Sequence, residues 1–269
     1  MSRIDERFAE LRSQGRKALI PFIEAGDPDL AATKAIIPAL EAAGADLIEL
    51  GVPFSDPLAD GPIIQKAALR ALESGTSLKK ILAMVEEVRP QVSVPLILMS
   101  SYNPIFVFGE EEFVRNAARV GVDGLIVPDL PPEEADSLQE LTEREGVDLI
   151  FLLAPSSTDD RIAMVAKRGR GFIYYVSLMG ITGVREALAD TIAEHLSHIK
   201  GITDRPVVVG FGISTPDQAR EAASWSDGVV VGSALVRLIE EGGSPEELSE
   251  SVGSLLKELK AGVLKATGG

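Results

Sequence analysis

Residues 18–51 read ALIPFIEAGDPDLAATKAIIPALEAAGADLIELG, in which two short apolar runs flank a segment with helical periodicity. The runs ALIPFI and DLIEL are rich in Ile and Leu and lack a strict alternation of polar and apolar residues. This pattern is typical of strands that are buried on both faces of a parallel sheet. Between them, residues 30–43 carry apolar side chains at helical spacing. The stretch therefore predicts one strand–helix–strand unit with parallel strands.

The same unit recurs along the rest of the chain. Six further apolar runs are PLILM from Pro95, GLIV from Gly124, DLIFLLA from Asp148, GFIYYV from Gly171, PVVVGFG from Pro206 and GVVVG from Gly228. Helical patterns separate them and include residues 111–120, 132–144, 159–168 and 216–223. Three connections from a helix to the next strand share a Gly-x-Asp pattern, which begins at Gly44, Gly121 and Gly146. Glycine there can adopt the left-handed conformation that ends a helix, so we interpret the pattern as structural.

Eight strands with intervening helices predict an α/β protein with a (β/α)8 TIM barrel fold. The length of 269 residues fits a single barrel domain over residues 1–269, with an extra N-terminal helix and C-terminal helices after Ser244. An open doubly wound sheet is the alternative. No Gly-x-Gly-x-x-Gly motif opens the first turn between strand and helix, which argues against that alternative.

Composition excludes several classes of protein. The formal charge of −15 argues against a nucleic-acid binder, because phosphate backbones require a basic surface. The chain has no cysteine, so disulfides, thiolate nucleophiles and cysteine metal sites are excluded. The N-terminal residues alternate charges with Ile4, Phe8 and Leu11, unlike a secretory signal, and no run of 18 apolar residues is present. We therefore expect a cytoplasmic protein that does not span a membrane.

Two carboxylates stand out because catalytic residues of a barrel lie at the carboxyl ends of its strands. Glu49 interrupts an apolar run just before Gly51, where burial would raise its pKa and suit it to acid–base chemistry. A paired structural carboxylate or a solvated charge is the alternative. The following loop, residues 51–62, contains three prolines, Asp56 and Asp60. Spacing alone favours a capping role for Asp60 over a catalytic one, since it precedes Gly61-Pro62 and a helix from Ile63.

Glycine-rich turns late in the chain predict a phosphate site. Gly210 to Ser214 follows the seventh strand, and Val231-Gly-Ser-Ala234 follows the eighth strand and opens a helix. Barrels often bind phosphate at these two positions through backbone amides and a helix N-terminus. Gly180-Ile-Thr-Gly183, after the sixth strand, is a third candidate, and ordinary tight turns are the alternative.

Other reactive groups carry no catalytic signal. His195 and His198 lie in a polar helical segment, residues 192–199, and we expect both to be solvated on the surface. No cluster has metal-ligand spacing, so no metal site is predicted. A serine triad is unsupported because no Gly-x-Ser-x-Gly elbow is present.

The stretch from Glu49 to Pro62, ELGVPFSDPLADGP, closely resembles the signature of the tryptophan synthase alpha subunit family. Further matches are Phe22, Ser101-Tyr-Asn-Pro104, Gly180-Ile-Thr-Gly183, Gly210-Phe-Gly212 and Gly232-Ser233, so the resemblance covers essentially the whole chain. It implies a barrel lyase of tryptophan biosynthesis that cleaves indole-3-glycerol phosphate by a retro-aldol reaction to indole and glyceraldehyde 3-phosphate, without a cofactor.

The resemblance also implies roles for individual residues. Glu49 would be the general acid and base, and Asp60 would accept a hydrogen bond from the indole nitrogen, which reverses the capping interpretation. Tyr174 would be the site tyrosine, although the adjacent Tyr175 would face the opposite side of its strand. The residues implied in substrate binding are Phe22, Thr182, Gly183, Gly212, Gly232 and Ser233.

A partner is implied in the same way. Members of the family pair with a pyridoxal-phosphate beta subunit in an α2β2 complex, and Asp56, Pro57 and Asn103 match the contact loops. A free-standing lyase that releases indole and a non-catalytic activator of a beta subunit are the alternative functions. Retention of Glu49 and Asp60 disfavours the activator.

Overall fold

The computed structural model describes residues 1–57, 60–176, 185–210 and 212–266, with the backbone alone for residues 185–190. Parallel strands in this part of the chain form one sheet in the order β5-β4-β3-β2-β1-β9-β8-β7-β6. Their bounds are β1 Ala18–Glu24, β2 Ile48–Gly51, β3 Leu96–Met99, β4 Gly124–Ile126, β5 Asp148–Ile150, β6 Leu152–Leu153, β7 Ile173–Val176, β8 Val207–Gly210 and β9 Gly228–Val231.

One interrupted strand links the two ends of this sheet. Only Phe151 separates β5 from β6, and its carbonyl accepts a hydrogen bond of 3.1 Å from the backbone N–H of Tyr174. The carbonyl of Leu149 likewise accepts one of 3.0 Å from Arg170. Together β5 and β6 therefore form the fifth strand of an eight-stranded parallel barrel. The predicted TIM barrel fold is confirmed, and each of the eight predicted apolar runs overlaps a strand of the barrel.

Helices surround the barrel and follow the strands in the expected order. Their bounds are α1 Arg3–Ser13, α2 Leu30–Ala42, α3 Pro62–Glu73, α4 Leu78–Val88, α5 Tyr102–Phe108, α6 Glu110–Val120, α7 Asp136–Glu145, α8 Asp159–Arg168, α9 Arg185–Ile202, α10 Pro216–Trp225, α11 Ser233–Glu240 and α12 Pro245–Lys265. Short 3₁₀ helices cover Arg89–Gln91 and Pro132–Glu134. The prediction of one helix over residues 132–144 is wrong at its start, because Ala135, with φ −89° and ψ 8°, separates a 3₁₀ turn from α7. Among the described residues, no helix combines the length and apolar character needed to cross a bilayer.

Strand alternation divides the apolar side chains into two clusters. Leu47 of the segment leading into β2 points into the barrel, whereas Ile48 and Leu50 point outward to the helices. The inward cluster also contains Phe8 of α1, whose ring centroid lies 5.7 Å from that of Phe172. Helix α1 thus closes the amino end of the barrel, which leaves the carboxyl end as the open mouth.

A buried ion cluster anchors the closing helix to the amino end. Asp46 is completely buried at the start of the second strand, and its carboxylate accepts a hydrogen bond of 2.8 Å from the backbone N–H of Leu19. The same carboxylate accepts from Arg7 of α1 at 2.6 Å and from Lys260 of α12. One carboxylate therefore joins the first two strands, the N-terminal helix and the C-terminal helix.

The other two Gly-x-Asp sites repeat this arrangement. Gly44, Gly121 and Gly146 have φ values of 103°, 92° and 75°, as expected for residues that end a helix. Asp123 accepts hydrogen bonds from the backbone N–H of Leu96 at 2.9 Å and from Arg3 at 2.8 Å. Asp148 accepts from Ser2, the N-cap of α1. The aspartates of the three Gly-x-Asp sites therefore hold the N-terminal residues against the amino end of the barrel.

Replacing Asp46 by Asn is expected to lower the free energy of unfolding by about 3 kcal/mol, because the buried Lys260 would lose its counter-ion. Urea unfolding followed by circular dichroism measures this change. The matched control is Asp217→Asn, which removes an exposed ion pair with Arg220 and should cost less than about 0.5 kcal/mol. Equal effects of the two substitutions would show that the buried cluster does not anchor the fold.

Candidate active site

Glu49 lies inside the mouth of the barrel, next to Phe22 on the neighbouring strand β1. Its side chain is completely buried, because residues 47, 49 and 51 face inward while Ile48 and Leu50 pack against the helices. Within the described part of the chain, neither carboxylate oxygen has a hydrogen-bond partner. Burial and the charge of Asp60 raise the pKa of Glu49 to about 8. Glu49 is therefore protonated at neutral pH and can donate a proton to a bound molecule.

Asp60 faces the same mouth from the loop between β2 and α3. Helix α3 has Gly61 as its N-cap and no side-chain capping hydrogen bond, so the geometry does not show the capping role that spacing favoured. The backbone N–H of Asp60 instead donates to the carbonyl of Pro57 at 3.2 Å, and its carbonyl accepts from the Gln65 side chain at 2.8 Å. Burial raises the pKa of the Asp60 carboxyl. The Asp60 carboxyl thus remains available to contact a molecule bound in the mouth.

The two adjacent tyrosines of β7 point in opposite directions. Tyr174 belongs to the interior cluster, and its pKa is raised well above the usual value by burial and by the charges of Glu49 and Asp60. Its hydroxyl occupies the space beside Gly210, where a Cβ atom would lie only 2.5 Å away. Tyr175 belongs to the outer core. Tyr174 is thus the tyrosine that faces the two carboxyls.

The histidines differ from each other, and the expectation of two solvated side chains is wrong for His195. Its Nδ1 lies 2.9 Å from the hydroxyl of Tyr175, and the two rings meet edge to face with centroids 5.4 Å apart. The ring is half-buried because it packs against the outer side of β7. His198 is exposed, as expected, and lies 2.8 Å from Asp159.

Two of the three predicted phosphate segments lie side by side, since β8 pairs with β9. Gly232 is the N-cap of α11 and Ser233 is its first residue, so the first backbone N–H groups of this helix are available to an anion. Gly212, after β8, has a φ of 36°, which favours glycine. The Cβ position of Gly232 lies 3.2 Å from the Phe22 ring, which places this turn beside the apolar side of the mouth. Thr182 and Gly183, from the third segment, lie outside the described residues.

One residue of the mouth was missed by the sequence analysis. Glu24 ends β1 on the inward face, two residues after Phe22, and is 3% exposed. It lines the same cavity as Phe22, Asp60 and Met99. The rule that selected Glu49, a polar residue that ends an apolar run, would have selected Glu24 if the first run had been extended beyond Ile23.

The predicted partner contacts lie on the rim of this mouth. Asp56 is exposed and Pro57 is half-buried in the loop after β2, while Asn103 is exposed on α5, which follows the neighbouring strand β3. Helix α5 also exposes 64% of Phe106 and 76% of Val107. No group of acidic or histidine side chains in the described part of the chain could hold a metal ion.

Comparisons with known proteins show the family that the chain resembles over nearly its whole length. Residues 8–264 match the family model described as "Tryptophan synthase alpha chain". The tryptophan synthase alpha chain of Geobacter sp. strain M21 is 55% identical over 267 residues, which cover 99% of this chain and 100% of that protein. The corresponding chain of Synechococcus elongatus is 50% identical, with 98% and 97% covered.

Solved structures show the same relationship. Tryptophan synthase subunit alpha from Legionella pneumophila superposes with a TM-score of 0.91 at 35% identity, covering 98% of this chain and 99% of that one. A chain of the aminoacrylate-bound tryptophan synthase from M. tuberculosis superposes with a TM-score of 0.88 at 38% identity, covering 98% and 100%. With its barrel fold, its inward-facing carboxylates and these matches over nearly its whole length, the chain belongs to the tryptophan synthase alpha chain family.

Proposed function

We propose that the protein is a lyase that cleaves indole-3-glycerol phosphate to indole and glyceraldehyde 3-phosphate, as part of tryptophan biosynthesis. The observation that carries this proposal is the buried, unpartnered carboxyl of Glu49, which shares the barrel mouth with Asp60 and Tyr174. A retro-aldol cleavage requires a group that can first donate and then accept a proton. A carboxyl whose pKa is about 8 meets both requirements near neutral pH.

The proton transfers balance with Glu49 as the single acid and base. Glu49 first donates its proton to carbon 3 of the indole ring, which leaves a positive charge on the ring nitrogen. The resulting Glu49 carboxylate then removes the proton of the side-chain hydroxyl next to the ring. The carbon–carbon bond breaks, its electron pair returns to the ring, and the oxygen becomes the aldehyde of glyceraldehyde 3-phosphate. Glu49 is protonated again at the end, so neither water nor a cofactor is consumed.

Asp60 supports the charged intermediate in this scheme. Its carboxylate accepts a hydrogen bond from the indole N–H and stabilises the positive charge that develops when carbon 3 is protonated. Tyr174 contributes its hydroxyl near both carboxyls, and Phe22 lines the apolar part of the mouth. A negative charge on either carboxyl also favours the un-ionised form of the Tyr174 hydroxyl.

The phosphate of the substrate would bind at the glycine-rich side of the mouth. Gly212, Gly232 and Ser233 supply backbone amides, and the positive end of the α11 dipole favours the anion. Thr182 and Gly183, which lie outside the described residues, would complete this phosphate site, as the family resemblance implies.

The two other functions explain less of the structure. A non-catalytic activator would have no use for an unpartnered buried Glu49, whose burial lowers stability. A free-standing lyase would need the same site, so indole release must be measured with and without a partner. The exposed apolar side chains Phe106 and Val107 favour the partnered form.

The partner we propose is a pyridoxal-phosphate beta subunit in an α2β2 complex in the cytoplasm. Its contact surface would combine Asp56, Pro57 and Asn103 with Phe106 and Val107 on α5. These residues follow adjacent strands at the open end of the barrel, so a partner seated there would lie next to the mouth where indole is released.

The Glu49→Gln substitution should lower kcat by at least about 1,000-fold while substrate binding measured by calorimetry persists, since amide and carboxyl have similar shapes. In the unsubstituted protein, kcat/KM should fall as the pH rises through about 8, where Glu49 loses its proton.

Glu49 also makes the stability of the protein depend on pH. Its folded-state pKa lies above its unfolded value, so between about pH 4.5 and pH 8 the unfolded chain ionises Glu49 while the folded protein keeps the proton, and the free energy of unfolding falls as the pH rises. The variant should therefore be more stable at pH 8 by more than about 1 kcal/mol. Substantial remaining turnover would remove Glu49 from the acid–base role.

The tyrosine pair provides an internally controlled test. Tyr174→Phe should lower kcat/KM about tenfold or more, because its hydroxyl faces the reacting groups. Tyr175→Phe should leave kcat/KM within about twofold, but should cost about 1 kcal/mol of stability through loss of the hydrogen bond to His195. A larger kinetic effect at Tyr175 would contradict the assignment.

Phe106→Asp should weaken binding of the beta subunit from the same organism at least about tenfold, because an exposed aromatic side chain that the proposed interface would bury is replaced by a charge. Titration of indole release against the beta subunit measures this affinity. Ile202→Asp, at a 40% exposed side chain near the end of α9, is the matched control and should leave the titration unchanged. Indole release that never responds to the beta subunit would instead support the free-standing lyase.

A further inference from the structure

Glu24 is a buried carboxyl of the mouth for which the proposed mechanism has no role. It is the last residue of β1 and pairs in register with Gly51, the last residue of β2. The side chain is 3% exposed and faces the barrel interior together with Phe22. A solvated strand-end charge would be exposed, so burial of Glu24 indicates a defined position in the site.

The absence of a side chain at Gly51 creates the space that the Glu24 carboxyl fills. A Cβ atom at Gly51 would overlap Oε2 of Glu24 and would lie 2.7 Å from Cζ of Phe22. The carboxyl is therefore held between the Phe22 ring and the backbone at the end of β2. From there it lines the same cavity as Asp60, Phe54 and Ser100.

Two acidic side chains, Asp60 and Asp27, lie close enough to this carboxyl for their charges to act on it. Within the described part of the chain, no basic side chain forms an ion pair with Glu24, and the nearby Asp27 is bound through two hydrogen bonds of 2.8 Å to Arg70. Burial and the charges of Asp60 and Asp27 raise the pKa of Glu24 well above its usual range. Both effects favour the neutral form of Glu24, and a neutral carboxyl has an O–H donor that a carboxylate lacks.

The Asp60 carboxylate can accept a hydrogen bond from the O–H group of Glu24. Both residues line one cavity, and Glu49, the third carboxyl of the mouth, is itself protonated at neutral pH. Asp60 must be an anion to stabilise a positive indole nitrogen, yet burial favours its neutral form. A hydrogen bond from a neutral acid would oppose that effect, because bonds to a charged acceptor stabilise the charged form.

We propose that Glu24 is a positioning residue for Asp60: its neutral carboxyl donates a hydrogen bond to the Asp60 carboxylate across the cavity that both residues line when indole is bound. The role of Asp60 in this statement rests on the proposed function. The proton stays on Glu24 throughout, so no additional reactant is required. Substrate contacts remain with Glu49 and Asp60.

The test measures the pKa of Asp60 by carbon-13 NMR of the side-chain carboxyls, with saturating indole present. The resonance that disappears in Asp60→Asn identifies Asp60. Glu24→Met removes the donor at similar length and should raise the pKa of Asp60 by about one unit. Glu24→Gln, the matched control, keeps a neutral donor and should leave that pKa within about 0.3 units of its original value. An unchanged pKa in Glu24→Met, or equal shifts in both variants, would overturn the proposal.

A second measurement does not depend on the folding of Glu24→Met. Because the coupling of two carboxyls is reciprocal, Asp60→Asn should lower the pKa of Glu24, and an unchanged Glu24 titration would contradict the proposed contact. Neither titration requires turnover. Failure to cleave indole-3-glycerol phosphate would therefore refute the proposed function, whereas unshifted titrations in an active protein would refute only the role of Glu24.

Discussion

The structure depends on the pairing of buried carboxyl groups, which differs between the two ends of the barrel. At the closed end, Asp46 accepts hydrogen bonds from a strand amide, Arg7 and Lys260, and so joins the terminal helices to the strands. At the open end, Glu49 is equally buried but has no partner in the described part of the chain. Pairing makes the first group an anchor, whereas isolation makes the second a proton donor.

The placement of each function follows from parallel strands with helical returns. The carboxyl ends of all the parallel strands lie at the mouth. Glu49 of β2, Tyr174 of β7 and the glycines that follow β8 and β9 therefore lie at the same end of the barrel. Gly51 and Gly210 leave room for the side chains of Glu24 and Tyr174. Such an arrangement costs stability, which the buried ion clusters and the apolar core must offset.

Local patterns in the sequence predicted the barrel and its strand ends, because periodicity of burial is a local property. Glu49 was found in this way, and the same rule would have found Glu24. Contacts between residues that are distant in the sequence could not be predicted. Lys260 forms a hydrogen bond with Asp46, which is 214 residues away in the sequence. His195 is half-buried because its ring contacts Tyr175. The N-cap position of Gly61, which leaves Asp60 without a capping bond, likewise depends on the tertiary path of the loop.

The central claim is that Glu49 transfers a proton to carbon 3 of indole. The most direct measurement follows deuterium incorporation from D₂O at that carbon, by proton NMR of indole incubated with glyceraldehyde 3-phosphate and the protein near neutral pH. Rapid incorporation is expected with the unsubstituted protein, and only the uncatalysed rate is expected with Glu49→Gln. Equal rapid incorporation with both proteins would contradict the claim and would place the acid–base group elsewhere in the mouth.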